Sequence, residues 1–133
     1  MRVAVVGAPS DRELAQRVCT GNHAVNLAGQ TTLKELAALL ERATVHICGD
    51  TGSAHIASAL GTPVVGLYGP TNPRRSCPYG QLERVVSTYG TCPDCAEHPR
   101  CKSDLCMVTM ATEDVFQAVD RVLAEVYAHE RTP

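Results

Sequence analysis

The chain opens on four consecutive apolar residues, Val3-Ala4-Val5-Val6, and turns at Gly7-Ala8-Pro9. A short continuous apolar run that ends in turn residues reads as a strand buried on both faces. Ser10 and Glu13 have the spacing of a capping box, Asp11 adds negative charge to the first turn, and Leu14, Ala15 and Val18 form one apolar face. A helix is therefore predicted, closed by Gly21. The same grammar then repeats. Residues 25–27 form a short strand, and Thr32 with Glu35 makes a second capping box ahead of Leu33, Leu36, Leu39 and Leu40 at helical spacing. Residues 45–48 form a third strand. Beyond the turn at residues 49–52 comes a helix of small residues, Ala54, Ala57, Ser58 and Ala59, which ends at Gly61 and whose backbone can lie close to a sheet.

Residues 63–68 form a fourth strand. Residues 69–82, rich in proline and glycine, are expected to be a long ordered loop or lid without a regular element. A fifth strand at residues 83–88 leads to a cysteine-bearing loop at residues 89–110. The last predicted helix takes Thr112 as N-cap, Glu113 and Asp114 as first-turn acids, and Val115, Val119, Val122, Leu123 and Val126 as its buried stripe. Strands alternating with helices predict an α/β fold, a Rossmann-like parallel sheet flanked by helices, in a single domain over residues 1–133.

Composition narrows the function classes. The 133 residues carry 12 basic and 14 acidic side chains, a net charge of -2, so the basic footprint of a nucleic-acid partner is lacking. No apolar stretch approaches the roughly 20 residues that span a bilayer, and the start has no signal-peptide pattern; a soluble, cytoplasmic protein is expected. With no Trp and only Phe116, the core must come from Val, Leu, Ile and Ala. Seven cysteines, an odd number in an ordinary helix-and-strand context, argue against a secreted disulfide scaffold, and Cys19 and Cys48 read as packed thiols.

The chemistry concentrates in Asp50-Thr51-Gly52-Ser53-Ala54-His55, at the carboxyl end of a strand and the start of a helix, where ligands bind in such folds. The leading N–H groups of a helix lack internal partners and carry positive partial charge, so a diphosphate can sit there, and Gly52 lets its oxygens approach the main chain. Thr51 and Ser53 offer hydroxyls, and His55, about one turn in, offers an N–H. Asp50 would repel phosphate; it orients the loop or accepts from a sugar or ribose hydroxyl. The same junction also reads as a plain helix cap. An aspartic protease is excluded, because the triplet occurs once and opens an Ala-rich helix.

Residues 50–73, Asp-Thr-Gly-Ser-Ala-His-Ile-Ala-Ser-Ala-Leu-Gly-Thr-Pro-Val-Val-Gly-Leu-Tyr-Gly-Pro-Thr-Asn-Pro, resemble the signature of glycosyltransferase family 9, the heptosyltransferases of lipopolysaccharide core synthesis. Upstream, Asn26-Leu27-Ala28-Gly29, Thr32-Leu33-Lys34-Glu35-Leu36 and Gly7-Ala8-Pro9 are similar to segments these enzymes carry. The resemblance implies the C-terminal half of a GT-B fold, with Asp50, Thr51, Gly52 and His55 holding the ADP moiety of an ADP-heptose donor. It further implies Asp11 on the ribose, where a first-turn dipole role is the alternative, and Thr31 lining the nucleotide pocket. No cofactor is implied. The family's N-terminal acceptor domain, with its Asp general base and the interdomain Lys, has no counterpart in these residues, so no catalytic residue is assigned and the isolated chain is expected to be inactive. The implied partners are the nucleotide-sugar donor, that acceptor domain and, through it, a lipid-linked saccharide. The implied location is cytoplasmic, with the full-length protein peripheral at the inner face of the cytoplasmic membrane. The alternative reading is a stand-alone module that binds a nucleotide or phosphate ligand without transferase activity.

Cys92, Cys95, Cys101 and Cys106 form a second constellation. A Cys-x2-Cys pair can give two thiolates to a tetrahedral ion and the second pair could complete a structural Zn site; free thiols or a disulfide are the alternatives. Cys77, His46 and His98 carry no role that the sequence argues.

Overall fold

A computed structural model of the chain describes residues 2–21, 23–91 and 105–129. All strand pairings are parallel, as predicted, and hydrogen bonding sorts the strands into a two-stranded sheet, β1-β2, and a three-stranded sheet, β3-β4-β5. The chain divides into two compact units, Met1–Leu39 and Leu40–Pro133.

In the first unit, β1 (Val3–Val5) pairs with β2 (Ala24–Asn26), Val3 opposite Ala24 and Val5 opposite Asn26. The helix α1 (Arg12–Cys19) packs against both strands. Asn26 fastens it: its Nδ2 donates to the Arg12 carbonyl at 3.1 Å and to Gln16 Oε1 at 3.2 Å, while its Oδ1 accepts from the Ala28 N–H at 3.0 Å. Contrary to the reading of a doubly buried first strand, Val3 is 48% and Val25 57% exposed. Three-residue strands paired along one edge and held by one eight-residue helix bury little more than one side.

The first capping box is also corrected. Pro9 opens a 3-10 turn, Pro9–Asp11, ahead of α1, and it is the Asp11 carboxylate that reaches back to accept the Ala8 N–H at 2.8 Å. Proline suits the first position of such a turn, which moves the helix entry and takes Ser10 and Glu13 out of capping register. At α2 (Leu33–Glu41) the second box forms as read. Glu35 Oε2 accepts the Thr32 N–H and the Thr32 hydroxyl, both at 2.8 Å, and Thr32 Oγ1 accepts the Glu35 N–H at 3.3 Å.

Those bonds from Thr32 hold the Glu35 carboxyl below its ordinary value of 4.5. A depressed carboxyl contributes stability that is complete above its unfolded value and is lost as pH falls through the folded one. Thr32→Ala is therefore expected to lower stability at neutral pH, a gap that narrows as pH falls below 4.5. Urea unfolding of both proteins at neutral pH and at about pH 3 checks this; a gap independent of pH would detach Glu35 from the cap.

In the second unit β4 (Val64–Tyr68) is central, flanked by β3 (His46–Gly49) and β5 (Val85–Ser87). Its Val64, Val65, Gly66 and Tyr68 are buried, so here the prediction of a strand covered on both faces holds. The helix α3 (Gly52–Ala59) lies on β3 and β4, where Ala54 and Ala57 are buried small residues that permit a close approach. The helix α6 (Thr112–His129) packs against β4 and β5. Val65, Val86, Ala118, Val119 and Val122 form the core, with Val115, Leu123 and Val126 against it, which is the predicted stripe with Ala118 added. Thr112 is the first residue of α6, one position inside the predicted cap.

Residues 69–82 depart from the prediction by containing a helical turn, α4 (Pro73–Ser76). Asn72 caps it, its Oδ1 accepting the Arg74 N–H at 3.0 Å, and Pro73 occupies the first helical position. The segment is tied at several points. The Ser58 hydroxyl donates to the Tyr79 carbonyl at 2.9 Å, and Gln81 Oε1 accepts the Val64 N–H at the start of β4 at 3.0 Å. A further short helix, α5 (Leu105–Val108), precedes α6.

Candidate functional site

The chain leaves β3 at Gly49, passes Asp50 and Thr51, and enters α3 at Gly52. Thr51 holds the N-cap position in extended conformation, φ -141° and ψ 160°, yet its side chain makes no capping hydrogen bond. Its hydroxyl turns aside to Ser53 Oγ at 2.9 Å, and Ser53 Oγ lies 3.0 Å from His46 Nε2 on β3. The leading N–H groups of α3 are thus not occupied by the residue best placed to cap them. A Cβ built on Gly52 would meet no atom within 4 Å, so the space beside that backbone is open. Asp50, Thr51, Gly52 and His55 are all exposed, while His46 and Ser53 are half-buried behind them. An exposed, uncapped first helical turn flanked by a hydroxyl and an imidazole can receive an anionic oxygen.

The wall behind this turn is neutral. Burial pushes the Cys48 thiol up, the Asp50 charge adds to this, and hydrogen bonds from Thr51 and Ser53 oppose it. Burial likewise raises Tyr68, which is pushed up to about 12 with smaller contributions from Cys77, Asp50 and Cys48, and its hydroxyl donates to the Ser76 carbonyl at 3.4 Å. Cys77 is raised by burial and by Asp50, against a hydrogen bond with Tyr68. His46 is lowered by burial. At neutral pH these four groups are therefore a thiol, a phenol, a thiol and an uncharged imidazole.

The predicted site residues fall in both units. Asp50, Thr51, Gly52 and His55 share the β3-α3 turn of the second, where the sequence placed them. Asp11 and Thr31 belong to the first. Asp11 is engaged with the Ala8 N–H, and Thr31 is half-buried between β2 and α2. Of the cysteine constellation, Cys92, Cys95 and Cys101 lie outside the described residues. Cys106 is a buried free thiol on α5, whose carbonyl accepts from the Thr88 hydroxyl. Among the described residues no group of three or more His, Cys, Asp or Glu could hold a metal ion. Sequence reasoning passed over His46 and Cys77. The available signal was a histidine between Val45 and Ile47 in an otherwise apolar strand.

Compared with known proteins, residues 1–104 match the profile described as glycosyltransferase family 9 (heptosyltransferase). The chain belongs to glycosyltransferase family 9. Lipopolysaccharide core heptosyltransferase OpsX of Haemophilus influenzae is 41% identical to this family 9 chain over 93 residues, covering 67% of the chain and 27% of that protein. Lipopolysaccharide heptosyltransferase 3 of Escherichia coli K12 is 31% identical over 131 residues, 93% of the chain and 38% of that protein. The chain thus spans between about a quarter and two fifths of the length of these relatives. In three dimensions it resembles a family 9 glycosyltransferase from Veillonella parvula, with a TM-score of 0.75 and 26% identity over 93% of the chain and 37% of that structure. It shares the fold of ADP-heptose lipopolysaccharide heptosyltransferase II of E. coli, with a TM-score of 0.70, 21% identity and the same coverage of 93% and 37%. The α/β architecture is accordingly that of the GT-B glycosyltransferases. Among the described residues no helix is long and apolar enough to cross a membrane.

Proposed function

We propose that the chain is the donor-binding domain, the C-terminal half, of a heptosyltransferase-like enzyme of lipopolysaccharide core synthesis, and that it holds ADP-heptose at the β3-α3 turn. The observation that carries this is the first turn of α3, left without a side-chain cap by Thr51 and open beside Gly52. The diphosphate lies against the leading N–H groups with the Thr51 hydroxyl and His55 as side-chain donors. Asp50 accepts from a sugar or ribose hydroxyl. During transfer the glycosidic bond to the diphosphate breaks and the departing oxygens gain charge, which fixed donors at a helix start stabilise without reorganising. The acceptor hydroxyl is deprotonated by a base of the acceptor domain, which also binds the lipid-linked saccharide. The assembled enzyme works in the cytoplasm, peripheral to the inner face of the membrane, and needs no cofactor. A structural Zn on Cys92, Cys95, Cys101 and Cys106 is compatible with this role and takes no part in the chemistry.

Titrating the amide spectrum of the protein with ADP tests the assignment. Residues 51–55 should shift first and saturate with ADP, and UDP and GDP should bind more weakly. Shifts confined to other residues would move the site elsewhere.

A further inference from the structure

One polar side chain of this region has no role in the reading above. His46 sits on β3 between two apolar neighbours, half-buried, with Nε2 aimed at Ser53 Oγ at 3.0 Å, and Ser53 Oγ in turn lies 2.9 Å from Thr51 Oγ1. The three groups form a line from the sheet to the exposed helix start. Each hydroxyl has a single proton, so the direction of the line is set at its inner end. If Nε2 is bare, Ser53 donates inward to it, Thr51 donates inward to Ser53, and only lone pairs face outward from Thr51. If Nε2 carries the hydrogen, Ser53 accepts from it and is free to donate to Thr51, which leaves the Thr51 proton free to point outward. The Cys48 thiol also touches both hydroxyls, but sulfur is a weak acceptor and does not compete with phosphate for the Thr51 proton.

Resting on the donor-binding reading above, we infer that His46 is a positioning residue for the donor diphosphate. It carries its hydrogen on Nε2 and, through Ser53, presents the Thr51 hydroxyl as a donor to a phosphate oxygen. His46 does not touch the ligand. It decides whether the last hydroxyl is free to point outward, and with Nε2–H that proton is available before the anion arrives.

Calorimetric ADP binding to the whole chain tests this with a double-mutant cycle. His46→Phe should weaken ADP binding about five- to tenfold, the value of one net hydrogen bond. His46→Gln, whose amide nitrogen can stand near the position of Nε2, should restore most of it. In a Thr51→Val background the His46→Phe substitution should cost nothing further. An equal loss in both backgrounds, or undiminished binding by His46→Phe, would overturn the inference while leaving the donor site standing. Should His46→Phe not fold, the 15N resonances of His46 in the wild-type complex with ADP decide: a protonated Nε2 supports the assignment and a bare Nε2 ends it. Wild-type protein that binds no ADP would overturn the donor-binding reading and this inference with it.

Discussion

Given ADP-heptose and a lipid-linked saccharide, the 133-residue polypeptide by itself is expected to form no product, although it retains part of its donor affinity. On the reading proposed above, one wall of a two-domain cleft would keep its own hydrogen bonds to diphosphate. On that reading the acceptor domain is what holds the acceptor hydroxyl against the anomeric carbon. Holding two reactants in register lowers a barrier by about 7 to 11 kcal/mol. Supplying an acceptor domain in trans should restore turnover to the extent that the two associate, and His55→Ala should then reduce it. Labelled heptose transferred by the polypeptide alone, at a rate abolished by His55→Ala, would mean that the base lies within this chain.

The largest stability loss from a single added methyl group is expected at Gly29. Its φ of +70° lies where a side chain is strained, and a Cβ there would come within 2.7 Å of the Pro9 Cα. The left-handed backbone accounts for roughly 1 to 2 kcal/mol, and overpacking against main chain for about 1 to 3 kcal/mol more. Pro9 has little room to retreat, because it leads the turn that Asp11 closes onto Ala8, and the Gly29 N–H donates to the Gly7 carbonyl at 2.9 Å. Gly21 supplies the control. Its φ is +78°, but nothing lies within 4 Å of a built Cβ, so Gly21→Ala should show the backbone part alone. Denaturant unfolding of both variants separates the two contributions, and equal losses would show that Pro9 gives way.

What was legible in the sequence was what is local. Thr32 and Glu35 cap α2 as read, because a three-residue spacing places both partners on one helical turn. The stripe of α6 was equally plain from its period. Ser10 and Glu13 had the same spacing and failed, since Asp11 competes for the entry turn and Pro9 moves the helix start. The helical turn at Pro73–Ser76 was missed, because the prolines and glycines of residues 69–82 read as a loop. The helix start at residues 50–55 was found because strand, turn and helix are contiguous there. His46 was not found because its partner Ser53 lies across the β3-α3 turn, and only the folded geometry aligns imidazole and hydroxyls. The proximity of Cys48 on β3 and Tyr68 on β4 is likewise a product of the pairing of those two strands, which no spacing encodes.

The many ties of the segment between β4 and β5 bear on how a ligand is met. Gln81 grips the first amide of β4, Tyr68 at the strand's other end reaches Ser76, and Ser58 on α3 holds the Tyr79 carbonyl. A free loop of this length would give up its conformational entropy at the moment of association, which would weaken binding and slow encounter. Here that entropy is already lost when the domain folds. On the donor-binding reading proposed above, the connection between β4 and β5 is therefore preorganised, and donor capture would be a docking event with no folding step attached.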